Sequence, residues 1–133
     1  MISTSRTLLG FDFGTKKIGV AVGQEQTGDA NPLKTLPAVN SAPDWAAISK
    51  LIEQWQPDAL VLGLPVHMDG TEQPLTQAAR RFGRQLEGRY QLPVHLADER
   101  LTTVEARQSH SKRGDVDAVA AQIILQTWLD NER

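Results

Sequence analysis

Cysteine is absent from the 133 residues, which excludes disulfides and thiolate metal sites. No apolar run approaches the length of a membrane-spanning helix. Met1-Ile2-Ser3-Thr4-Ser5-Arg6 has no long apolar segment behind it, so a cytoplasmic protein without membrane attachment is the expectation. Internal repeats, low-complexity runs and linker-like stretches are also missing, and the length suits one domain over residues 1–133. An excess of charge of one sign is lacking as well. Fourteen Lys and Arg stand against 16 Asp and Glu, a net charge of −2, which neither demands nor excludes a polyanion. The bases are nevertheless uneven: residues 71–133 carry nine of them, gathered at Arg80-Arg81, Arg84, Arg89 and Lys112-Arg113, against five in residues 1–70. Any polyanion footprint is expected mainly in the second half.

What is present is organised around Leu8-Leu9-Gly10-Phe11-Asp12-Phe13-Gly14-Thr15-Lys16-Lys17-Ile18-Gly19-Val20-Ala21-Val22-Gly23. Two apolar runs flank a glycine-bounded turn, the pattern of a β-hairpin with Gly14–Lys17 at its tip. Asp12 lies between two phenylalanines, so strand alternation sends it to the face opposite both rings. A carboxylate inside such a strand is costly unless something compensates it; a metal ion or a phosphate-bound cation would.

Further along, Pro32–Val39 reads as a third strand, its prolines suited to an edge. Trp45, Ile48, Leu51, Ile52 and Trp55 form an amphipathic helical stripe that ends at Gln56-Pro57-Asp58. Ala59–Gly63 is apolar on both faces, as a covered central strand is. The loop Leu64–Thr71 leads to a second helix from about Pro74, with Leu75, Ala78, Ala79, Phe82 and Leu86 on one side and Arg80, Arg81 and Arg84 on the other. Leu92–Ala97 is a further strand. Thr102 or Thr103 opens a third helix through about Gln108, and Asp115 caps a fourth whose expected buried stripe is Val116, Val119, Ala120, Ile123, Ile124 and Trp128. The order β-β-β-α-β-α-β-α-α predicts an α/β fold, a five-stranded mixed sheet with helices on both faces.

Carboxylates fall where such a sheet can gather them: Asp12 in the first strand, Asp98 and Glu99 at the end of the last, Asp117 in the first turn of the last helix. Hydrolysis of a phosphodiester by two divalent ions needs a cluster of this kind, because hard cations take oxygen ligands and a bridging carboxylate can hold both ions. Each position also has a plainer reading. An Asp in a first helical turn complements the helix dipole, and Asp98-Glu99 can be a solvated strand end paired with Arg100. His67, His95 and His110 lack ligand spacing, and the three tryptophans sit on helix stripes, as core residues do.

Four blocks carry a family resemblance: Gly10–Val22; Val61-Leu62-Gly63-Leu64-Pro65 with Met68-Asp69-Gly70-Thr71; Asp98-Glu99-Arg100-Leu101-Thr102-Thr103; and Asp117-Ala118-Val119-Ala120-Ala121. Together, and in this order across almost the whole chain, they resemble the YqgF family, also called RuvX. Its members are known as pre-16S rRNA nucleases and were earlier described as Holliday junction resolvases. The resemblance implies an RNase H-like fold, a bacterial cytoplasmic protein and a role in maturing the 5′ end of 16S ribosomal RNA. It implies a catalytic triad of Asp12, Glu99 and Asp117, which with Asp98 would bind Mg²⁺ or Mn²⁺. In many RNase H-like nucleases a carboxylate ends the strand after the first helix; here Gly63-Leu64-Pro65 holds that place, and Glu99 substitutes from the neighbouring strand. The segment between Arg100 and Asp117 is shorter than is usual in the family.

Lys16 and Arg100 are the candidates to hold the scissile or a neighbouring phosphate, with Arg80, Arg81 and Arg84 guiding the flanking strand and Lys112 and Arg113 as further basic contacts. Helical arginines, however, are mostly solvated surface. Three rivals stand beside the RNA nuclease. A DNA-junction resolvase would use the same carboxylates, but as a symmetric dimer with two sites, whereas a monomer is expected here. Asp12-Phe13-Gly14-Thr15 also resembles the phosphate loop of actin-like ATPases, which close two such domains around ATP. The last rival is a non-catalytic RNA-binding assembly factor acting on precursor ribosomal particles.

Overall fold

The computed structural model describes residues 6–40, 42–99 and 116–132. The expected third helix, the Asp115 cap, Arg100, Lys112 and Arg113 lie outside them. β1 (Thr7–Phe13) and β2 (Lys17–Gln24) form the expected antiparallel hairpin, with Phe13 opposite Ile18 across the Gly14–Lys17 turn. β3 (Asp29–Val39) pairs with β2, and a two-residue β4 (Ala42–Pro43) pairs with its end. β5 (Ala59–Leu64) lies parallel to β1, and β6 (Val94–Asp98) parallel to β5. The order across the sheet is β4-β3-β2-β1-β5-β6. The sheet therefore has six strands where five were expected, because the short β4 adds one strand beyond β3. Pro32 and Pro37 lie on β3 outside its pairing with β4, where a missing N–H costs no ladder bond on the outer edge.

Helix α1 (Trp45–Trp55) starts at Asp44, whose carboxylate accepts from the Ala47 N–H at 3.1 Å, and ends at Gln56 in the left-handed region, just before Pro57. Helix α2 (Pro74–Tyr90) opens on a reciprocal cap in which the Thr76 hydroxyl accepts from the Gln73 N–H at 3.0 Å. Both helices cover the sheet face that carries Leu9, Phe11 and Phe13, where Phe82 packs edge-on against Phe11 and at 5.0 Å from Phe13. Trp45 and Trp55 are part of this cluster, as ordinary core.

Helix α3 (Val116–Asn131) covers the opposite face, against Leu8, Ala21, Ala30, Ala59 and Val61. Its buried side is Ala118, Ala120, Ala121, Ile124, Leu125 and Leu129. The expected stripe shared only Ala120 and Ile124 with it; Val116, Val119, Ile123 and Trp128 are half-buried. This helix is apolar around most of its circumference, so periodicity alone does not choose its inner face. Small size does, since Ala118 and Ala121 let the helix come close to the strands. Two glutamines then pin it to β3: Gln122 donates to the Ala30 carbonyl at 3.0 Å, and Gln126 accepts from the Ala30 N–H at 2.9 Å. No helix among the described residues is long and apolar enough to cross a membrane.

Candidate active site

Alternation along β1 puts Leu8, Gly10 and Asp12 on the α3 face, away from Phe11 and Phe13, as the sequence predicts. Register then fixes the surroundings of Asp12. Its partner on β2 is Gly19 and its partner on β5 is Gly63, each one strand spacing away, about 4.8 Å. Both neighbours of the half-buried carboxylate are therefore bare backbone.

That bareness is required. A methyl group added at Gly19 would stand 1.9 Å from the Asp117 carbonyl oxygen, so the first turn of α3 rests directly on this glycine. One added at Gly63 would stand 2.9 Å from Glu99 Cγ and 3.0 Å from its Oε2. Glu99, 9% exposed, follows the last residue of β6 and folds its side chain over Gly63. The three elements bearing Asp12, Glu99 and Asp117 thus meet at one row, Gly19–Asp12–Gly63, at the C-terminal ends of the parallel strands β1, β5 and β6. In open α/β sheets this is the end where ligands bind. Among the described residues, no three His, Asp or Glu side chains are grouped closely enough to form a complete metal cage. What meets at the row is the Asp117 backbone on one glycine and Glu99 on the other, and the acidic side chains of these elements offer only carboxylate oxygen, the chemistry that suits a hard divalent cation. Asp98, half-buried, pairs with Leu64 one step beyond the Gly63–Ala97 pair.

The cations divide. Lys16 and Lys17 are exposed on the hairpin turn beside Asp12, whose backbone is tied to β3 by the Ala38 N–H donating to the Lys16 carbonyl at 2.8 Å. Gly14 makes the turn tight: a methyl group there would meet the Lys17 carbonyl at 2.7 Å. Arg80 and Arg84 belong to α2, on the other side of the sheet from the carboxylates. Arg80 is held by Glu72 at 2.7 Å, and Arg84 lines a small groove with Val94 and Leu96 at the β6 edge. The structure does not bring these two arginines to the acidic row. Reading the sequence missed Gln122 and Gln126, whose only signal is an i, i+4 pair of amides on a mostly apolar helix. His95 stacks on Trp128 at 4.9 Å.

The loop leaving β5 is built from polar bonds. Asp69 accepts from the Thr71 hydroxyl at 2.6 Å and from the Thr71 N–H at 2.9 Å. Those two bonds, the hydroxyl first, hold the Asp69 carboxyl below the ordinary aspartate range. Gly70 takes φ 90°, a left-handed conformation that favours glycine. The Thr76 hydroxyl donates to the Pro65 carbonyl, joining the loop to α2.

Comparison with known proteins fits this geometry. The model of a family described as RuvX, Holliday junction resolvase, matches residues 6–131. The chain belongs to the RuvX family. A "Putative pre-16S rRNA nuclease" from Nitrosococcus oceani is 55% identical, over 98% of this chain and 91% of that one. Another from Pectobacterium carotovorum is 53% identical, over 95% and 96%. The first alignment runs over 138 positions against 133 residues here, so that RuvX relative carries at least five residues without a counterpart in this chain. Among solved structures, Thermus thermophilus RuvC in complex with a Holliday junction substrate superposes with a TM-score of 0.61 at 14% identity, covering 96% of this chain and 95% of that one. The fowlpox virus Holliday junction resolvase gives 0.57 at 9% identity, over 94% and 99%. At such identities the likeness establishes the fold, that of RuvC-type, RNase H-like resolvases.

Proposed function

We propose that this RuvX-family chain is a cytoplasmic, metal-dependent endonuclease that processes the 5′ end of precursor 16S rRNA. The observation that carries the reading is the row Gly19–Asp12–Gly63, with Asp117 seated on one glycine and Glu99 on the other. Asp12 at the centre, with Glu99 and Asp117 beside it and Asp98 as an auxiliary, would hold the divalent ions. Bound Mg²⁺ or Mn²⁺ would supply an activated water and stabilise the leaving oxygen. The remaining work belongs to the chain. The glycines let three anionic side chains approach without steric conflict, and α3 and the strand ends fix the directions from which they come. Lys16 on the adjoining turn holds a neighbouring phosphate by charge. Arg100 would do the same, while Arg84 and Arg80, one layer away, bear on strand leaving past the β6 edge.

Support for RNA comes from the names of the close relatives, and support for the alternative, cleavage of DNA junctions, from the family description and the RuvC-like fold. Resolving a junction takes two symmetric sites; a monomer active on RNA meets the first reading and not the second.

The test incubates the purified chain with a 5′-extended 16S precursor and, separately, with a four-way DNA junction. Cleavage near the mature 5′ end in Mg²⁺ or Mn²⁺, lost on chelation and in Asp12→Asn, is the expected result. Cleavage by Asp12→Asn at the wild-type rate overturns the assignment, and binding of precursor without any cleavage makes the protein an assembly factor.

A further inference from the structure

Register separates the two lysines of the hairpin turn. Across β2 and β3, Ile18 faces Leu36 and Lys17 faces Pro37. The pairing runs one step further, because the Ala38 N–H donates to the Lys16 carbonyl at 2.8 Å. Residues paired across strands share a face, and successive residues alternate between faces. Ile18, Leu36 and Ala38 belong to the aromatic cluster under α1 and α2, so Lys16 leaves the sheet on that side. Lys17 leaves it on the other, together with Gly19, Asp12 and Gly63. The lysine that opens β2, and not the one before it, therefore stands on the carboxylate face.

The setting of Lys17 suits an anion. It lies two residues from Gly19, the partner of Asp12, which is roughly 7 Å along β2. Across the turn its counterpart is Gly14, which carries no side chain; the three atoms nearest to a methyl group built there are all Lys17 backbone. Its neighbour on β3 is the exposed, uncharged Pro37. Lys17 is itself exposed and makes no ion pair among the described residues, whereas Arg80 is paired with Glu72. An ammonium of this kind, beside a carboxylate site but not tied to it, can take a phosphate oxygen as a point charge. It also offsets part of the repulsion that the carboxylates exert on an incoming polyanion.

We infer that Lys17 is a substrate-binding residue that holds the phosphate next to the cut bond on the carboxylate face, while Lys16 serves a phosphate further along the strand, past the turn. The inference rests on the nuclease reading for the position of the cut, but the contact is measurable without cleavage. Binding of a fluorescently labelled single-stranded RNA, taken from the 5′-extended 16S precursor, is followed by anisotropy in Mg²⁺. The full chain carries Asp12→Asn in this assay, so that the RNA stays intact. Adding Lys17→Gln should weaken binding about fivefold and lower the slope of log Kd against log salt concentration by about 0.7. Lys16→Gln should change both by less, Lys17→Arg should restore both, and all three should keep the parent's melting temperature. With Asp12 intact, Lys17→Gln should raise KM for precursor cleavage and leave kcat nearly unchanged. Binding by Lys17→Gln equal to the parent's, or a larger loss in Lys16→Gln, overturns the assignment; if the unmodified chain cuts the precursor, the nuclease reading then stands alone. Lys17-dependent binding by a chain that never cuts supports the contact and removes the nuclease reading. A chain that does not bind the RNA at all overturns both.

Discussion

The two faces of the sheet are built to opposite rules. Toward α1 and α2 the strands present Leu9, Phe11, Phe13, Ile18, Val20, Leu60 and Leu62, large side chains buried against Phe82, Leu86 and Ile48. Toward α3 they present mainly small residues, Gly10, Gly19, Gly23 and Gly63 with Ala21, Ala30 and Ala59, beside Leu8 and Val61. The first face buries much apolar surface, which is where a sheet of this size gains stability. The second gives up part of that surface so that a helix backbone can lie almost on the strands, with the Asp117 carbonyl seated on Gly19 and Glu99 folded over Gly63, the two neighbours of Asp12. Bulk stabilises one side; on the other, glycines let Asp117 and Glu99 lie against the neighbours of Asp12.

The comparison breaks most visibly at Gly19. Gly19→Ala places a methyl group where the Asp117 carbonyl already is, so the first turn of α3 must move. Overpacking of this kind costs about 1–3 kcal/mol, and if Asp117 serves as proposed, its displacement by about 1 Å is worth about 100-fold in rate. Both losses should occur together, read as a lowered melting temperature and a fall in precursor cleavage. A fully active Gly19→Ala protein would mean that α3 does not need its close seat.

Leu86→Ala attacks the other face. Leu86 is fully buried, and its truncation should cost about 2–5 kcal/mol, visible as a lower urea midpoint. Because Leu86 faces away from the carboxylates, the folded variant at moderate temperature should cleave at the wild-type rate. A catalytic defect in a fully folded sample would show that the faces are coupled, against the division drawn above.

This division was only half legible in the sequence. The aromatic face could be read, since Phe11 and Phe13 flanking Asp12 in a strand define opposite sides, and the α1 and α2 stripes point to an apolar partner. On the second face, Gly19 and Gly63 read from sequence as positions that allow turns or close approach. What each one touches depends on register between strands distant in sequence: Gly19 meets Asp117 and Gly63 meets Glu99 only once β2, β1 and β5 are aligned. For the same reason the inner side of α3 was misjudged by rotation, because a helix apolar on most sides carries no periodic mark.

Gln126→Ala sharpens the comparison with a smaller effect. The strands offer α3 few large side chains, chiefly Leu8 and Val61, and side-chain amides add to its seating: Gln126 accepts from the Ala30 N–H at 2.9 Å and donates to the Gly28 carbonyl. Ala30 is 4% exposed, so removing its acceptor leaves a buried N–H unsatisfied. A loss of about 1–2 kcal/mol is expected, as a shifted urea midpoint with an unchanged slope. No shift would assign the seating of α3 to its apolar contacts alone.

The smallest effect lies in the loop that leaves β5 beyond Gly63, at the strand end that carries Asp12 and Asp98. Pro65–Glu72 is held by polar bonds centred on Asp69, whose carboxylate accepts from the Thr71 hydroxyl and N–H. Those bonds favour the ionised form, so the folded pKa lies below the ordinary aspartate value. Their contribution to loop order is therefore complete above the unfolded-state pKa and is lost as pH falls through the lowered folded value. The Thr71 amide resonance should titrate with a midpoint below the ordinary aspartate range, and Asp69→Ala should remove that transition while leaving global stability nearly unchanged, because the group is solvent-exposed. A midpoint at or above the ordinary value would mean that the Asp69–Thr71 bonds do not hold the loop in solution. The order of this end of the sheet would then depend on the Pro65–Thr76 bond and the ties of Glu72 to α2.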